Sequence, residues 1–181
     1  VSAKTTSREP SGGVVPKDMA TIDFSKYEGL GNDFILIDDR DKATPCLTPK
    51  QSERLCDRNF GVGGDGVIFA LSPPSDEYDF AMRIHNSDGT EPEMCGNGIR
   101  CLAQLLKDLG EEATSYVIHT GAGNIVPVMN DDGTITVNMG EPILEASKVP
   151  TTLEANFDGN SVVEQSYECK GTTWKILCVS M

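Results

Sequence analysis

The sequence predicts an α+β domain in which short strands wrap around one central helix. Residues 99–109 place apolar side chains at helical spacing, and further apolar positions widen that face, so the predicted helix is buried on most sides. The stretches around it alternate apolar and polar residues between turn-forming residues, which is typical of strands. A length of 181 residues allows one domain, or one domain and part of a second.

Local patterns predict the elements that precede the central helix. The apolar run at 34–37 indicates a buried strand, and the run at 67–71 indicates another. Thr48 and Gln51 form a capping-box pattern with proline at the first helical position, so a helix is expected over 49–58.

The remaining elements are predicted as strands. Residues 80–85 alternate between apolar and other side chains, which indicates a strand with one buried face, and 116–119 indicate a further strand. Alternating apolar positions flank the sequence Asn-Asp-Asp-Gly at 130–133, which predicts a hairpin. A second hairpin is expected over 161–179, with its turn at 170–171.

Three parts of the chain are expected from these patterns. A flexible leader is predicted over 1–21, because its residues are rich in Ser, Thr, Gly and Pro and lack apolar periodicity. A first domain is expected over 22–145, and the beginning of a second over 146–181. Because the first residue is Val1 rather than Met, a trimmed organelle-targeting sequence and a cloning choice both stay open.

Composition excludes several classes of function. The formal net charge is −13, so phosphate backbones and anionic membrane surfaces are unfavourable partners, and no nucleic-acid partner is expected. No apolar run approaches the roughly 20 residues of a membrane-spanning helix, so no membrane association is expected.

Cysteine and histidine usage argues against a metal site. The chain has only two histidines, His85 and His119, and no Cys-x-x-Cys pair, so a structural zinc site is not expected. Most of the cysteines are interpreted as reduced, buried thiols. The six are Cys46, Cys56, Cys95, Cys101, Cys169 and Cys178.

The densest chemical signal is the segment 86–101, NSDGTEPEMCGNGIRC. Cys95 directly precedes the central helix, where the first backbone N–H groups lack partners and carry partial positive charge. Such a position stabilises anions and favours the thiolate form of a cysteine. Gly96 and Gly98 would let a ligand approach the backbone. The pattern indicates a site where Cys95 moves the α-hydrogen of an amino acid while the following amides hold its carboxylate.

Two other interpretations of this segment stay open. A small buried cysteine beside a glycine-rich turn would give the same pattern without any chemistry. Nucleophilic catalysis by Cys95 is the other, but it normally uses a histidine base, and nothing in the spacing of His85 or His119 supports that role.

Five stretches of the sequence resemble successive motifs of the diaminopimelate epimerases, in the version found in plants and cyanobacteria. They are YEGLGNDFILID at 27–38, FGVGGDG at 60–66, NSDGTEPEMCGNGIRC at 86–101, HTGAGNI at 119–125 and VNMGEP at 137–142. The resemblance implies two pseudo-symmetric halves, each with strands around a central helix, and an active site in the cleft between them.

The resemblance also implies a reaction and the residues that perform it. Members of the family interconvert LL- and meso-diaminopimelate for lysine biosynthesis without pyridoxal phosphate or metal, so no cofactor is expected. Two cysteines, one per half, act as base and acid on opposite faces of the α-carbon. By resemblance Cys95 is the first of them, and Gly96 and Asn97 bind the reacting carboxylate. Asn32 and Asn86 contact the far end of the substrate.

Several of these positions also have plain structural interpretations. Asn32 would suit a turn, and Asn86 would suit the end of a strand. Asp65 is expected to hold a turn, and Cys101 is expected to point into the core. Gly66 departs from the many family members that place a substrate-contacting Gln there, so this contact is expected from backbone or water.

The sequence ends at Met181, where chains of the resembling family continue into the second half, so the second domain is expected to be incomplete. One hypothesis is an epimerase chain that supplies half of the site and is not active alone. The alternative is a truncated, non-catalytic isoform that binds a ligand or partner without turnover. A related isomerase that uses a carboxylate in place of thiols is disfavoured by Cys95 in its Cys-Gly-Asn-Gly setting.

The resemblance sets the remaining expectations. The expected partner is a small molecule, diaminopimelate, and a homodimer is the candidate assembly. The expected location is the chloroplast stroma, or the cytoplasm if the source is bacterial.

Overall fold

The structure, a computed structural model, describes residues 2–4 and 21–180. Within them, seven strands form one mixed sheet whose spatial order follows the chain. The pairs β3–β4 and β5–β6 are parallel, and the other neighbours are antiparallel. The strands are β1 (Ser2–Lys4), β2 (Ser25–Gly29), β3 (Asn32–Asp39), β4 (Gly66–Leu71), β5 (Phe80–Asn86), β6 (Ile118–Thr120) and β7 (Gly123–Ile125).

Strand β3 shows that two apolar cores lie on opposite faces of this sheet. Phe34 and Leu36 belong to one core, and Ile35 and Ile37 belong to the other. Because successive side chains of a strand point to opposite faces, a sheet covered on both sides needs an uninterrupted apolar run. The buried strands predicted at 34–37 and 67–71 are confirmed, within β3 and β4.

Helix α1 (Pro49–Cys56) packs on β4 and β5 and covers one of these cores. The predicted capping box is present, since the Thr48 hydroxyl accepts the Gln51 N–H and the Gln51 side chain accepts the Thr48 N–H. The helix ends at Cys56 rather than at Arg58. The Asp57 carboxylate accepts the N–H groups of Asn59 and Phe60, a local arrangement that competes with helix continuation.

Strand β5 differs from the half-buried strand predicted at 80–85. Arg83 is exposed, but Ala81 and His85 are only 7% and 2% exposed. The alternation suggested one solvent-facing side, yet α1 covers that side of the strand. The histidine is accommodated there because it has a hydrogen-bond partner on α1, as described below.

Helix α2 (Gly96–Asp108) packs on the other core of the sheet, beside β2, β3 and β4. It confirms the helix predicted at 99–109 and its expected start directly after Cys95, and it ends at Asp108. Gly110 takes a positive φ of 95° just after the helix, in agreement with its predicted role as a stop.

A two-stranded hairpin, β8 (Pro127–Met129) and β9 (Ile135–Val137), also contacts α2. It confirms the hairpin predicted around 130–133, and Gly133 has a positive φ of 82° in its turn. Helix α2 therefore contacts strands of both the sheet and this hairpin, which confirms the prediction of strands around a central helix.

Contacts divide the chain into two compact units between Asn138 and Met139. Within the second unit, β10 (Gln165–Cys169) and β11 (Thr172–Ile176) pair as the predicted second hairpin, with its turn at 170–171. A short 3-10 helix occupies Ala146–Lys148. The domain boundary predicted between 145 and 146 stays a prediction.

The predicted leader at 1–21 falls mostly outside the described residues. Its described part includes Ser2–Lys4, which pairs antiparallel with 26–28 as a strand rather than lying irregular. The backbone N–H and C=O groups at the edge of β2 can form hydrogen bonds with a further strand. The composition of the leader does not show that it would supply this strand.

Candidate active site

Cys95 is the N-cap residue of α2 and is half-buried. Its backbone is extended, with φ −139° and ψ 117°, and its Sγ accepts the Gly98 N–H at 3.4 Å. The N–H groups of Gly96 and Asn97 precede Ile99, whose N–H makes the first bond of the helix, to the Cys95 carbonyl, and they have no partner within the helix. The helix start therefore places a thiol beside backbone donors suited to a carboxylate.

Gly98 has a different role from the one expected for it. It is buried, and a Cβ there would lie 2.9 Å from Ile68 Cδ1 and 3.3 Å from Cys95 Cβ. A side chain at 98 would require the end of the Ile68 side chain on β4 to shift. Gly98 therefore permits close packing of α2 on the sheet, rather than access of a ligand to the backbone.

A chain of side-chain hydrogen bonds joins Asn32 to the start of α2. Asn32 Nδ2 donates to Asp65 Oδ2 at 2.6 Å, and Asn32 Oδ1 accepts from Asn97 Nδ2 at 3.1 Å. Asn97 Oδ1 in turn accepts from Arg100 Nη2. Two of the predicted site residues, Asn32 and Asn97, are thus in direct contact. Sequence reasoning missed Arg100, although its spacing of three residues from Asn97 on a helix is a usable signal.

Asp65 fastens the segment before β4 to the turn between β2 and β3. Besides Asn32, it accepts the backbone N–H of Asp33 at 3.1 Å. Its other oxygen accepts from Arg58, which also pairs with the Asp33 carboxylate at 2.6 Å. These bonds agree with the expectation that Asp65 holds a turn.

The carboxylate of Asp33 is held ionised by two cations. The Arg58 hydrogen bond is the main cause that lowers its pKa to about 2, with Lys26 adding to the effect against the opposing cost of burial. Lys26 also donates to the Gly63 carbonyl at 2.6 Å, so the same cluster ties three chain segments together. This ion cluster is long-range in sequence, and local patterns did not indicate it.

Asn86 lies at the same end of the sheet but is not joined to this chain of bonds. The register aligns Phe34, Gly66 and Asn86 on three adjacent strands. The Asn86 side chain donates to Thr90 Oγ1 at 3.0 Å, and its N–H donates to the Thr90 carbonyl. This side-chain bond therefore closes the turn after β5, as the plain structural interpretation expects.

Gly66 stands where β4 and β5 approach closely. A Cβ at this buried position would lie 2.8 Å from the carbonyl oxygen of His85. A side chain at 66 would therefore require the backbone of β5 to move, so the departure from the family pattern is built into the strand spacing.

Two of the other thiols lie in the apolar cores. Cys101 has no exposed surface, and burial raises its pKa to about 11; the same cause raises the pKa of buried Cys56 to about 11. Cys101 points into the core as expected.

The histidines do not lie beside Cys95 in a base-and-nucleophile arrangement. His85 Nδ1 and Ser52 Oγ are 2.8 Å apart, and the His85 ring packs edge-on against Phe69. Ser52 and Phe69 belong to the side covered by α1, whereas Cys95 caps α2 on the other side. His119 packs against Tyr78. Neither geometry supports the alternative of nucleophilic cysteine catalysis.

Other features of the described residues have separate locations. A cavity of about 500 Å³ is lined by Leu71, Met82 and His119 among others, but by none of the predicted site residues. No group of three or more His, Cys, Asp or Glu side chains suited to a metal ion occurs among residues 2–4 and 21–180. In the same part of the chain, no helix is long and apolar enough to cross a bilayer.

Comparisons with known sequences agree with the motifs. A family model described as diaminopimelate epimerase matches residues 24–145. The diaminopimelate epimerase of Trichodesmium erythraeum (strain IMS101) is 59% identical over 162 residues, which make up 89% of this chain and 57% of that protein. That of Acaryochloris marina (strain MBIC 11017) is 56% identical over 164 residues, or 88% of this chain and 57% of that protein. The chain thus spans a little over half the length of these relatives.

A solved structure shares the fold. The Bacillus anthracis phenazine biosynthesis protein of the PhzF family aligns with a TM-score of 0.54 and 26% identity, over 72% of this chain and 44% of that one. Together with the strands around α2, this likeness confirms the predicted fold class.

Proposed function

Since the chain belongs to the diaminopimelate epimerase family, we propose that it supplies one half of a site that converts LL-diaminopimelate to meso-diaminopimelate. One observation carries the proposal: Cys95 caps α2, with its Sγ 3.4 Å from the Gly98 N–H, beside the bonded pair Asn32 and Asn97. A thiol, backbone donors and two amides then meet at one end of the sheet.

In the proposed reaction, Cys95 works on one face of the α-carbon. As a thiolate it accepts the α-proton, so that the C–H bond breaks and its electron pair spreads toward the substrate carboxylate. The N–H groups of Gly96 and Asn97 bind that carboxylate, where negative charge grows in the transition state. A thiol on the opposite face returns a proton to the carbon, and by resemblance it belongs to the second half of the family fold.

The far end of the substrate is the part that selects a long diamino diacid. We assign its recognition to Asn32 and Asn86, both at the end of the sheet nearest the start of α2. Asn32 retains one N–H and one oxygen lone pair beyond the two bonds it makes, so it can bind a polar group without losing either bond.

The alternative proposal is binding without turnover. The 181-residue polypeptide on its own is expected not to epimerise, because one thiol reaches only one face of a clamped α-carbon. Cys101 and Cys56 are poor substitutes, since both are buried with raised pKa values. An isoform of this length would then bind a ligand or partner only.

The decisive experiment follows exchange of the α-hydrogen. A protein containing this sequence and a second family half, and the 181-residue polypeptide, are each incubated with LL-diaminopimelate in deuterated water. We expect the longer protein to form deuterated meso-diaminopimelate and the 181-residue polypeptide to form none. The absence of exchange with the longer protein would refute the epimerase proposal, and turnover by both would refute the need for a second thiol.

The cellular setting follows from the same proposal. Epimerisation of diaminopimelate would place the protein in lysine biosynthesis. The chloroplast stroma is the location we propose, with the cytoplasm as the bacterial alternative, and a homodimer is the proposed assembly. Imaging a fluorescent fusion of the native coding sequence, and measuring the mass of the native protein in solution, test these two statements separately.

A further inference from the structure

We infer that Asp65 and Arg100 are positioning residues that fix which way the amide groups of Asn32 and Asn97 point toward the substrate. The inference rests on the proposed function, which assigns the side chain of Asn32 and the backbone N–H of Asn97 to substrate binding. It adds two charged residues that are not themselves assigned to any contact with the substrate.

Four side chains are joined by a series of hydrogen bonds. They run from the Asp65 carboxylate to the Asn32 amide, then to the Asn97 amide, and end at the Arg100 guanidinium. All four side chains are half-buried, so water competes less for these bonds than at an open surface.

The two end groups of this series, Asp65 and Arg100, differ in the hydrogen bonds that they can make. An ionised carboxylate can only accept hydrogen bonds, and a guanidinium can only donate them. Asp65 therefore requires the NH₂ group of Asn32 to face it, which turns Asn32 Oδ1 toward Asn97. Arg100 requires the carbonyl of Asn97 to face it, which turns Asn97 Nδ2 toward Asn32. Asp65 and Arg100 therefore favour the same orientation of the two amides. Rotating either amide by half a turn would place two donors or two acceptors opposite each other.

Asp65 also has a bonding partner outside this series. Its second oxygen accepts from Arg58 at 2.8 Å, and Arg58 also binds Asp33. This guanidinium holds the second carboxylate oxygen of Asp65, although it is 56% exposed and its effect is weakened by solvent. Arg58 therefore supports the chain of bonds without being a member of it.

These bonds determine which hydrogen-bonding groups are free to bind a ligand. With both directions fixed, the Asn32 amide has one N–H and one lone pair left for the ligand, in positions set before the ligand arrives, and the Asn97 amide holds Asn32 in that orientation. Such preorganisation lowers the cost of binding. Removing the accept-only end would allow Asn32 to rotate, and the ligand would then have to order it.

The test uses a protein that contains this sequence and turns over LL-diaminopimelate. Asp65→Asn keeps the shape of the side chain and one oxygen, but it can donate as well as accept. We expect it to raise the KM about tenfold and to change kcat less than about threefold. Arg100→Met should raise the KM similarly, and Arg100→Lys, which keeps a donor, should restore most of the loss.

Asp38→Asn is the matched control. Asp38 lies in β3 like Asn32 but near the other end of the strand, where its carboxylate pairs with Arg40. We expect this variant to keep the wild-type KM. The variants Asp65→Asn and Arg100→Met should also be non-additive when combined, because both act through one chain of bonds.

Binding is measured directly as a second readout. In a Cys95→Ala background, calorimetry with meso-diaminopimelate should show a Kd raised about tenfold by Asp65→Asn and unchanged by Asp38→Asn. KM and Kd values for Asp65→Asn and Arg100→Met within twofold of their parents would overturn the inference, as would a loss of Tm and kcat alone. A parent protein without turnover would instead refute the proposed function.

Discussion

The two faces of the sheet bury similar apolar cores but treat their polar side chains differently. On the α1 face, Ser52 and His85 satisfy each other away from solvent and have little exposed surface. Around the start of α2, Cys95, Asn32 and Asn97 are half-buried, and the asparagines keep hydrogen-bonding capacity. A closed polar pair contributes to stability, whereas an open arrangement with spare donors and acceptors is available to a ligand.

The largest expected effect of this difference is on activity. In a protein that contains this sequence and a second family half, Cys95→Ala should abolish exchange of the α-proton in at least one direction, with a loss on the order of 100-fold or more, while substrate still binds. His85→Gln should keep most of the activity, because its side chain lies on the α1 face. Deuterium incorporation into diaminopimelate measures both variants. Equal losses in the two would contradict the separation of the faces.

Thiol reactivity should show the second largest effect. Cys101 and Cys56 are buried with pKa values raised to about 11, so little reactive thiolate is present near neutral pH. We expect iodoacetamide to alkylate Cys95 on the order of 100 times faster than either, with loss of activity, and diaminopimelate to slow the reaction at Cys95. Peptide mass spectrometry reads each site separately. Activity should survive a chelator, and restoration of chelated enzyme by a divalent metal would refute the cofactor-free mechanism.

A substitution on the α1 face should reduce stability more than a substitution at Cys95, which is the reverse of the order expected for activity. Ser52→Ala leaves the buried His85 ring without its partner, so we expect a loss of roughly 1–3 kcal/mol in the free energy of unfolding. Cys95→Ala, at a half-buried position, should change this free energy by less. Urea unfolding curves of the two variants give the comparison, and a larger loss in Cys95→Ala would reverse our assignment of roles.

The smallest expected effect is a dependence of stability on pH. Burial is the main cause that lowers the pKa of His85, with Glu91 opposing and Arg83 assisting it. The unfolded chain then binds a proton more readily than the folded protein, so stability is complete above about pH 6.5 and falls as the pH decreases below it. Urea midpoints between pH 7.5 and pH 5 should decline in the wild type and less in His85→Gln.

Asp33 should act in a separate range of pH. Its pKa is lowered from 3.8 to about 2 by Arg58, then by Lys26. The stability it contributes is present above about pH 4 and is lost as the pH falls toward 2. This loss begins at a lower pH than that of His85, so the His85→Gln variant should leave the Asp33 contribution unchanged.

Local patterns predicted most of the elements because the residues that determine each element lie close together in the sequence. The capping box at Thr48, the apolar run of β3 and the turn at Gly133 act within a few residues. Cys95 was found for the same reason, since the start of a helix is a local feature.

What local patterns missed depends on residues distant in the chain. The Asp65–Asn32 bond spans 33 residues, and the Asn97–Asn32 bond spans 65. The burial of both faces of β5 depends on where α1 packs, which its own alternation does not encode. Gly98 was assigned to ligand access because its neighbour Ile68 lies on another element.

The close approach at Gly66 links the two faces mechanically. Any larger residue at 66 must displace the His85 carbonyl, and the His85 ring is held by Ser52 on α1. A change made at the start of β4 would therefore strain a helix on the opposite side of the sheet. Engineering a Gln into this position would require compensating changes in α1, so the two regions are expected to vary together during evolution.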